Sequence, residues 1–255
     1  MSDACASLVE RGDPDRFAAT MAAPPALRAR LWPLYAFNLE VARAPWLTAE
    51  PLIAEMRLQF WTDTLTEAAG DAPPRAHEVA APLTEVIRAQ ALPTAPLHAL
   101  IEARKHDIAR AAFTDAGALL GYIDATAGGL MLSAARLLGA GDGAEAPIRA
   151  MGRAAGLANW LAAVPALRAA GAPPLGAGID RAALVAEGLA QLHAARAARA
   201  QVPAAAAPAL LTGWQAGAIL KRAAREPAAI DEGRLLRPEI ARRGSLLLRA
   251  LSGRW

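Results

Sequence analysis

Helix-forming segments that end at prolines or glycines follow one another along almost the whole chain, and this pattern restricts the fold more than any other feature. Alanine is the commonest residue; hydrophobic residues make up 55% of the 255 positions and aromatic residues only 5%. Alanine has the highest intrinsic helix propensity. No segment shows the alternation of apolar and polar residues that is typical of a half-buried strand. The sequence therefore predicts an all-α protein.

Proline and glycine divide the chain into about ten predicted helices. Asp13 is placed to cap the first of them, with Pro14 at its first helical position. The connections are short, as in a compact helical bundle. We therefore expect one α-helical domain over residues 1–255, in which the later helices cover about 26–43, 49–69, 77–91, 96–112, 116–138, 146–170, 181–200, 208–225 and 238–251.

The charge pattern argues against a nucleic-acid partner. The formal net charge is +3, and almost all the positive charge comes from arginine. No run of arginines or lysines is interleaved with aromatic residues, as it is in surfaces that bind nucleic acids.

The single cysteine and the lack of targeting patterns indicate the cellular compartment in which we expect the protein. Cys5 excludes an internal disulfide and fits a reducing compartment, and we expect it to be an incidental thiol on a mobile terminus. Residues 1–16 contain no apolar core preceded by positive charge. No window holds ~18 consecutive apolar residues free of charge. We expect a cytoplasmic protein, with attachment to the inner face of a membrane as the alternative.

The predicted helix over residues 26–43 has the composition of a helix that lines a pocket. Its second half and the three residues after it read PLYAFNLEVARAPW (33–46). This stretch is apolar and aromatic and contains a single carboxylate. Helical spacing puts Tyr35, Asn38 and Ala42 on one face. An amide on such a face is either a hydrogen-bonded core residue or a polar contact to a ligand.

Five segments of the chain follow one another in a characteristic order: LYAFNLEVAR, EMRLQFWTDTL, LIEARKHDI, GYIDATAGGLMLSAARLLG and MGRAAGLANWL. In order and spacing they resemble the squalene/phytoene synthase family over residues 16–172. The resemblance implies a single α-helical bundle of the isoprenoid synthase type around a central prenyl-binding cavity. Active members of that family condense two prenyl diphosphates head-to-head.

The chemistry of that family needs carboxylates that this sequence lacks. Ionisation of an allylic diphosphate leaves a highly charged group that Mg²⁺ neutralises, and aspartate oxygens on two facing helices hold the metal. The acidic positions of the two motifs align here with Ala42, Arg43 and Trp46 in the first motif and with Ala163, Ala166 and Leu167 in the second. Arg43 even adds a positive charge where a metal would lie. We therefore expect no metal, no other cofactor and no catalytic residue of the synthase type.

The same alignment predicts which side chains face the central space. Gly128 belongs to a glycine pair inside a strong helix, where it either permits close helix approach or lines the cavity. Asp107 and Asp124 are the remaining acidic residues that could approach the cavity, and we expect Asp107 to be structural. The predicted cavity-lining residues are Tyr35, Asn38, Arg57, Trp61, Gly128 and Asn159.

In lacking the acidic motifs the sequence resembles a divergent branch of the family, whose mitochondrial member is an inner-membrane-associated assembly factor for respiratory complex I. Two hypotheses stay open. The first is a non-catalytic assembly or binding protein, whose partner is a respiratory-complex subunit or an isoprenoid or other lipid ligand. The second is a prenyltransferase of the squalene/phytoene type with an atypical active site.

The segment over residues 237–255 predicts a basic amphipathic helix. Its leucines and final tryptophan recur at i, i+4 and i+8, and tryptophan suits a membrane interface. This pattern predicts a peripheral membrane contact through Arg242, Arg243, Leu247, Arg249, Leu251, Arg254 and Trp255. The alternative is that the leucines dock on the bundle and the arginines are merely solvated.

Overall fold

The computed structural model describes residues 2–176 and 178–255, which form helices joined by short loops. No strand is present in these residues, which confirms the all-α prediction. Short 3-10 turns cover Ala44–Trp46, Asp142–Ala144, Arg199–Gln201 and Ala204–Ala206, and a π-helical turn covers Asp124–Gly128. The α-helices are α1 (Ser2–Gly12), α2 (Pro14–Thr20), α3 (Pro25–Arg43), α4 (Pro51–Ala68), α5 (Ala80–Ala89), α6 (Ala95–Arg104), α7 (His106–Ala109), α8 (Ala116–Ile123), α9 (Gly129–Leu137), α10 (Glu145–Ala169), α11 (Arg181–Ala197), α12 (Ala207–Leu211), α13 (Ala216–Arg225), α14 (Ala228–Asp231) and α15 (Glu239–Ser252).

The local sequence explains where several helices begin. Asp13 caps α2 by accepting a hydrogen bond from the Arg16 backbone N–H at 3.0 Å. Asp115 and Asp180 cap α8 and α11 in the same way. Each cap satisfies a backbone donor that has no partner inside the helix. Proline stands in the first turn of α2, α3, α4 and α6, where its missing N–H is not needed.

Helix α10 is the central helix of the bundle, and it contacts α8, α9, α11, α13 and the π-helical turn. Its closest approach to the π-helical turn depends on glycine. A Cβ atom added to Gly152 would lie 2.7 Å from the Gly128 Cα and 2.8 Å from the Ala127 carbonyl oxygen. Because glycine lacks that atom, the two helices can cross in direct backbone contact. This crossing fixes two of the elements that border the cavity described below.

One helical stretch, Ala116–Leu137, is long and apolar enough to span a membrane by length and composition. It runs through α8, the π-helical turn and α9, and 67% of its most apolar window is buried inside the fold. Since α9 packs against α6 and α10, the stretch belongs to the core of the bundle.

Three of the predicted helices are interrupted. The helix expected at 96–112 forms two pieces and stops at Arg110, which adopts the left-handed conformation with φ of 49°. The helix expected at 116–138 contains the π-helical turn, and the one expected at 208–225 breaks near Gly213. Apolar periodicity does not record such local changes of backbone hydrogen bonding, because the side chains on either side keep a helical spacing.

The N-terminal residues form a packed helix, which corrects the expectation of a mobile terminus. Helix α1 contacts α2 and α3. Cys5 and Val9 lie one turn apart on its inner face, and both are fully buried. The Cys5 thiol lies 3.5 Å from the Glu78 carbonyl oxygen, to which it donates. Cys5 is therefore a core residue rather than an incidental thiol.

We expect the Cys5 thiol to react with dithiobis-nitrobenzoate only when α1 opens. Burial, together with the Glu78 carboxylate, raises its pKa from the ordinary value of 9.0 to about 11, so little thiolate exists at neutral pH. The folded state favours the protonated thiol. The contribution of Cys5 to the free energy of unfolding is therefore fully present below pH 9 and is lost as the pH rises toward 11. Labelling that is as fast in the native protein as in urea would contradict the assignment.

The C-terminal helix α15 docks by a narrow face and leaves a wide apolar face in solvent. Leu246 is its buried side chain and packs with Leu211 and Trp214. Arg242 ties the helix to α2 through Asp15, with 2.6 Å between Nη1 and Oδ2. The apolar residues left in solvent are Ile240, Leu247, Leu248 and Leu251, which are 60% to 88% exposed.

Trp255 does not continue this exposed face, which corrects the prediction made from its spacing. Helix α15 ends at Ser252 because Gly253 adopts the left-handed conformation, with φ of 60°. The turn directs Trp255 back to the body of the protein, where its ring is buried with the Arg199 Cζ 5.7 Å from its centroid. Arg242 is likewise committed to an ion pair. Neither side chain is free to contact a membrane.

Candidate functional site

A cavity of about 260 Å³ lies between α10 and the helices around it. Its wall combines two cations, one carboxylate, two amides and several aromatic rings. The lining residues are Arg16, Asn38, Trp46, Arg104, Asp107, Tyr122, Ile123, Thr126, Ala127, Leu130, Gly156, Asn159, Trp160, Ala163 and Leu167.

A buried ion pair forms part of this wall. Asp107 is 6% exposed and accepts hydrogen bonds from Arg104 Nη1 at 3.0 Å and from the Tyr122 hydroxyl at 2.9 Å. Burial raises the pKa of Tyr122 above its ordinary value, although the Arg104 cation opposes the shift. The phenol therefore stays protonated and continues to donate to Asp107. Asp107 is thus held in the wall through its Oδ2 atom by two donors.

The second cation of the lining is Arg16. Its Nε donates to Asp13 Oδ2 at 2.8 Å, and its Cζ lies 5.1 Å from the centroid of the Tyr35 ring. Burial alone would lower the pKa of Arg16, but Asp13 raises it above the ordinary value. Burial raises the pKa of Tyr35 to about 12. Arg16 therefore stays charged, and Tyr35 is connected to the cavity through Arg16.

The positions that hold the metal in the resembled family carry side chains that cannot bind one. Trp46, Ala163 and Leu167 all line the cavity, so the fold does bring positions from both motifs together. Indole, methyl and isobutyl groups offer no oxygen ligand to Mg²⁺. Nor do the residues at 2–176 and 178–255 group three His, Cys, Asp or Glu side chains in a way that could hold a metal ion. The residues present do not fit a Mg²⁺ cluster.

The other three motif positions lie outside the lining. Ala42 is partly buried and Ala166 is exposed. Arg43 extends toward α1, where its Nη2 is 2.7 Å from the point that a Cβ on Gly12 would occupy. Arg43 therefore adds no charge at the cavity wall, which corrects the expectation that it stands where a metal would lie.

Two residues of the lining carry buried donors without a protein partner. Arg104 Nε and Trp160 Nε1 have no acceptor in the part of the chain that the structure describes. The Trp160 ring is held edge-on by Phe113 and Tyr122, with 5.5 Å between centroids in each pair. A buried donor without a partner costs about 1–3 kcal/mol. The wall therefore contains two unpaired donors, which lie below its accessible surface.

Arg57 and Trp61 lie away from this cavity, so the single space expected for the six predicted residues is divided. They line a separate groove of about 430 Å³, together with Ile53, Met56 and His77. The two residues lie away from the cavity because of the neighbours against which α4 packs. Helix α4 contacts α5, α6 and the 3-10 turn after α3, so its aromatic stripe borders the groove instead of the cavity.

Of the remaining predicted residues, two line the cavity, one lies at a helix crossing, and Tyr35 is buried in the core beside Arg16 and is not part of the lining. Asn38 from α3 and Asn159 from α10 both line the cavity. Gly128 lies in the π-helical turn, where it meets Gly152 of α10. Its role is thus the close approach of two helices, one of the two alternatives that its sequence context allowed.

Asp124 does not reach the cavity lining. It binds two arginines of α10 instead, with 3.3 Å between Oδ2 and Arg149 Nη1 and 2.7 Å between Oδ1 and Arg153 Nε. These ion pairs join the π-helical turn to α10 beside the Gly128 crossing. Of the two acidic residues considered from the sequence, only Asp107 is part of the wall.

Sequence reasoning missed the cationic part of the site. Arg104 and Asp107 stand three residues apart in LIEARKHDI, and Tyr122 lies in GYIDATAGG. Both segments carry the family resemblance, and Asp107 is considered above as a structural acid, but Arg104 and Tyr122 are not singled out from the sequence. A cation three residues before an acid inside apolar segments was the available signal, since such spacing places the two on one helical face.

Part of the chain is similar to known assembly factors. Over 162 residues it is 28% identical to NADH dehydrogenase (ubiquinone) complex I, assembly factor 6 of Bos taurus, which covers 63% of this chain and 48% of that protein. Over 167 residues it is 30% identical to the Drosophila melanogaster homolog, which covers 63% of this chain and 50% of that protein. The chain thus spans about half the length of the curated relatives it matches.

Solved structures of low sequence identity share the fold. A dehydrosqualene synthase in complex with ligand superposes with a TM-score of 0.70 at 14% identity, over 98% of this chain and 95% of that one. Squalene synthase HpnC from Alicyclobacillus acidocaldarius gives a TM-score of 0.60 at 20% identity, over 99% and 94%. The statistical model of the family described as squalene/phytoene synthase matches residues 9–249. The chain therefore belongs to the squalene/phytoene synthase family.

Proposed function

We propose that this protein is a non-catalytic member of its family and acts as an assembly factor for respiratory complex I, with a subunit of that complex as its protein partner. The observation that carries the loss of catalysis is the cavity wall. Trp46, Ala163 and Leu167 stand there in place of the carboxylates that a Mg²⁺ cluster requires. The similarity to the complex I assembly factors supports the second half of the proposal.

The size of the cavity supports the same conclusion. Its volume of about 260 Å³ lies below the ~300–1,000 Å³ that is typical of a pocket for one drug-sized ligand. Head-to-head condensation must hold two prenyl chains at once. The cavity suits one small amphipathic molecule, an isoprenoid or another lipid, whose polar group would lie against Arg16, Asn38 and Asn159 in the wall.

The purified protein is expected to release no pyrophosphate from farnesyl or geranylgeranyl diphosphate, with or without Mg²⁺. The physical reason is that the wall offers a single carboxylate, Asp107, whereas the Mg²⁺ cluster that neutralises the leaving group needs several. A coupled pyrophosphate assay and extraction of the hydrocarbon products measure this, with an active dehydrosqualene synthase as the positive control. Metal-dependent pyrophosphate release, or a head-to-head product, would replace this proposal by the prenyltransferase hypothesis.

The assembly role has its own test. Deletion of the gene in its own organism is expected to reduce the amount of fully assembled complex I on native gels, together with the NADH:ubiquinone oxidoreductase activity. Re-expression of the wild-type chain should restore both. Normal complex I in the deletion strain would end the assembly proposal and leave the absence of catalysis untouched.

We propose further that α15 lies on the inner face of a membrane by its outer side. The exposed residues on that side are Ile240, Leu247, Leu248 and Leu251. Arg243, whose side chain is 78% exposed, flanks them. An apolar stripe beside basic residues is the pattern of a helix that lies in a membrane interface. Such a contact would keep an assembly factor beside a membrane complex without a spanning helix.

A further inference from the structure

A basic pocket of about 530 Å³ lies where α15 meets the end of α11. Arg196 comes from α11 and Arg199 from the 3-10 turn that follows it, whereas Arg249 and Arg254 come from α15 and its terminal turn. Among the residues that the structure describes, the lining contains four arginines and no carboxylate side chain.

These four arginines differ from the other arginines of α15 in having no acidic partner. Arg243 pairs with Glu239 at 2.5 Å, whereas the pocket arginines form no ion pair within residues 2–176 and 178–255. Burial lowers the pKa of Arg196. Burial also lowers the pKa of Arg249, and the cations of Arg196 and Arg237 lower it further. The fold thus holds like charges together in a partly desolvated place, and a bound anion would relieve this cost.

The protein itself holds the rim of the pocket in position. Arg199 donates to the Gly253 carbonyl oxygen and lies over the Trp255 ring, 5.7 Å from its centroid. These contacts order the turn after α15, which carries the fourth arginine. An anion that enters would therefore meet the Arg199 guanidinium already in place, and less conformational freedom would be lost at that residue on binding.

The pocket is continuous with the apolar outer side of α15. Leu248 lines the pocket and is also 70% exposed on the outer side. Leu247 and Leu251 extend the same apolar surface away from the pocket. A free anion would use only the arginines. A molecule with a charged head and apolar chains would use both surfaces at once.

We propose that this pocket binds the phosphate of an anionic phospholipid headgroup while the acyl chains lie against the outer side of α15. The inference rests on the proposed membrane contact of α15 and adds a specific headgroup site to it. Guanidinium groups bind phosphate oxygens through paired N–H donors. Leu248 joins the headgroup site to the apolar surface, which is why a lipid fits better than a soluble phosphate.

The test compares two double variants of the full chain that remove the same charge. Arg196→Gln with Arg249→Gln alters the pocket, whereas Arg11→Gln with Arg225→Gln alters exposed arginines on α1 and α13, outside both the pocket and α15. Binding is measured by co-sedimentation with vesicles of phosphatidylcholine mixed with phosphatidylglycerol.

The pocket variant is expected to bind about thirtyfold more weakly, since each basic contact near a charged surface contributes roughly a fivefold factor. The control should lose about fivefold or less, because neither of its arginines lies in the pocket or on α15. On vesicles of phosphatidylcholine alone, the pocket variant should bind like the wild type.

Other outcomes would overturn the inference in distinguishable ways. Equal losses for the two double variants would mean that overall charge, and not the pocket, attracts the vesicles. Loss of binding in Leu247→Ser with Leu251→Ser, but none in the pocket variant, would leave the membrane contact standing and remove the headgroup site. Unchanged binding in both would remove the two proposals together. Pocket-dependent binding of glycerol 3-phosphate in calorimetry, with vesicles indifferent to the pocket, would make the site one for soluble phosphate.

A folding check accompanies these measurements. Without lipid, the pocket variant should melt at or above the wild-type temperature, because a repulsion between like charges has been removed. Should the glutamine variant fail to fold, Arg196→Lys with Arg249→Lys keeps the charge but loses the paired donors. That variant is expected to bind anionic vesicles at an intermediate strength, and wild-type binding by it would count against the site.

Discussion

Replacing Asp107 by alanine is expected to lower the free energy of unfolding by about 3–5 kcal/mol, because the Arg104 guanidinium would remain in the cavity wall without its carboxylate. Asp107 is only 6% exposed, and it accepts hydrogen bonds from both Arg104 and Tyr122. The variant would therefore leave the Arg104 cation without its counter-charge and the Tyr122 hydroxyl without its acceptor. Urea denaturation followed by circular dichroism measures the difference.

Asp142→Ala is the matched control, since it also removes a carboxylate that pairs with an arginine at 3.0 Å. Asp142 is 96% exposed, so its loss should cost less than about 1 kcal/mol. Replacing both members of the buried pair, Arg104→Met with Asp107→Leu, should recover much of the loss because no charge is then left unpaired. Equal effects of the two single alanine variants would mean that water reaches Arg104 freely in the native wall.

The helices could be predicted from the sequence because their signals are local. The caps at Asp13 and Asp180 and the prolines that open α3 and α4 are read from a few adjacent residues. The π-helical turn could not be predicted in this way. It depends on the close contact of Gly152 with the Ala127–Gly128 backbone, which belongs to the packing of two helices and leaves no periodic mark.

The same distinction holds for the candidate site. Asn38 and Asn159 could be assigned to one cavity because the resemblance fixes the order of the helices that carry them. Arg57 and Trp61 could not be placed correctly, since the rotation of α4 about its axis depends on contacts with α5 and α6. Trp255 was misplaced for a similar reason. Its i, i+8 spacing assumes a continuous helix, and the left-handed turn at Gly253 ends that helix first.

The sequence shows that both motifs lack their carboxylates, but it does not show what this absence does to the structure. Trp46 and Leu167 stand at motif positions and also line the cavity. Apolar side chains therefore fill part of the space between the two motifs. Meanwhile Arg16 and Arg104 stay in the wall, each paired with a carboxylate. A wall with a single carboxylate supports the proposed binding of an amphipathic molecule better than metal-dependent ionisation of a diphosphate.

The position of α10 against this wall depends on one crossing, and Gly152→Ala is expected to disturb it severely. The new Cβ would lie 2.7 Å from the Gly128 Cα, 2.8 Å from the Ala127 carbonyl oxygen and 3.1 Å from the Gly128 nitrogen. All three are backbone atoms, which cannot rotate away as a side chain can. The helices must separate, and we expect a loss of about 3 kcal/mol in the free energy of unfolding.

Gly121→Ala is the matched control, because it adds the same methyl group inside helix α8 at a point with nothing within 4 Å. There the higher helix propensity of alanine should raise the free energy of unfolding by up to ~1 kcal/mol. The two substitutions are thus expected to have opposite signs in the same urea titration. Hydrogen exchange should become faster around the π-helical turn and the facing part of α10 in Gly152→Ala alone. A Gly152→Ala variant as stable as Gly121→Ala would show that the backbones of α10 and the π-helical turn are not in contact.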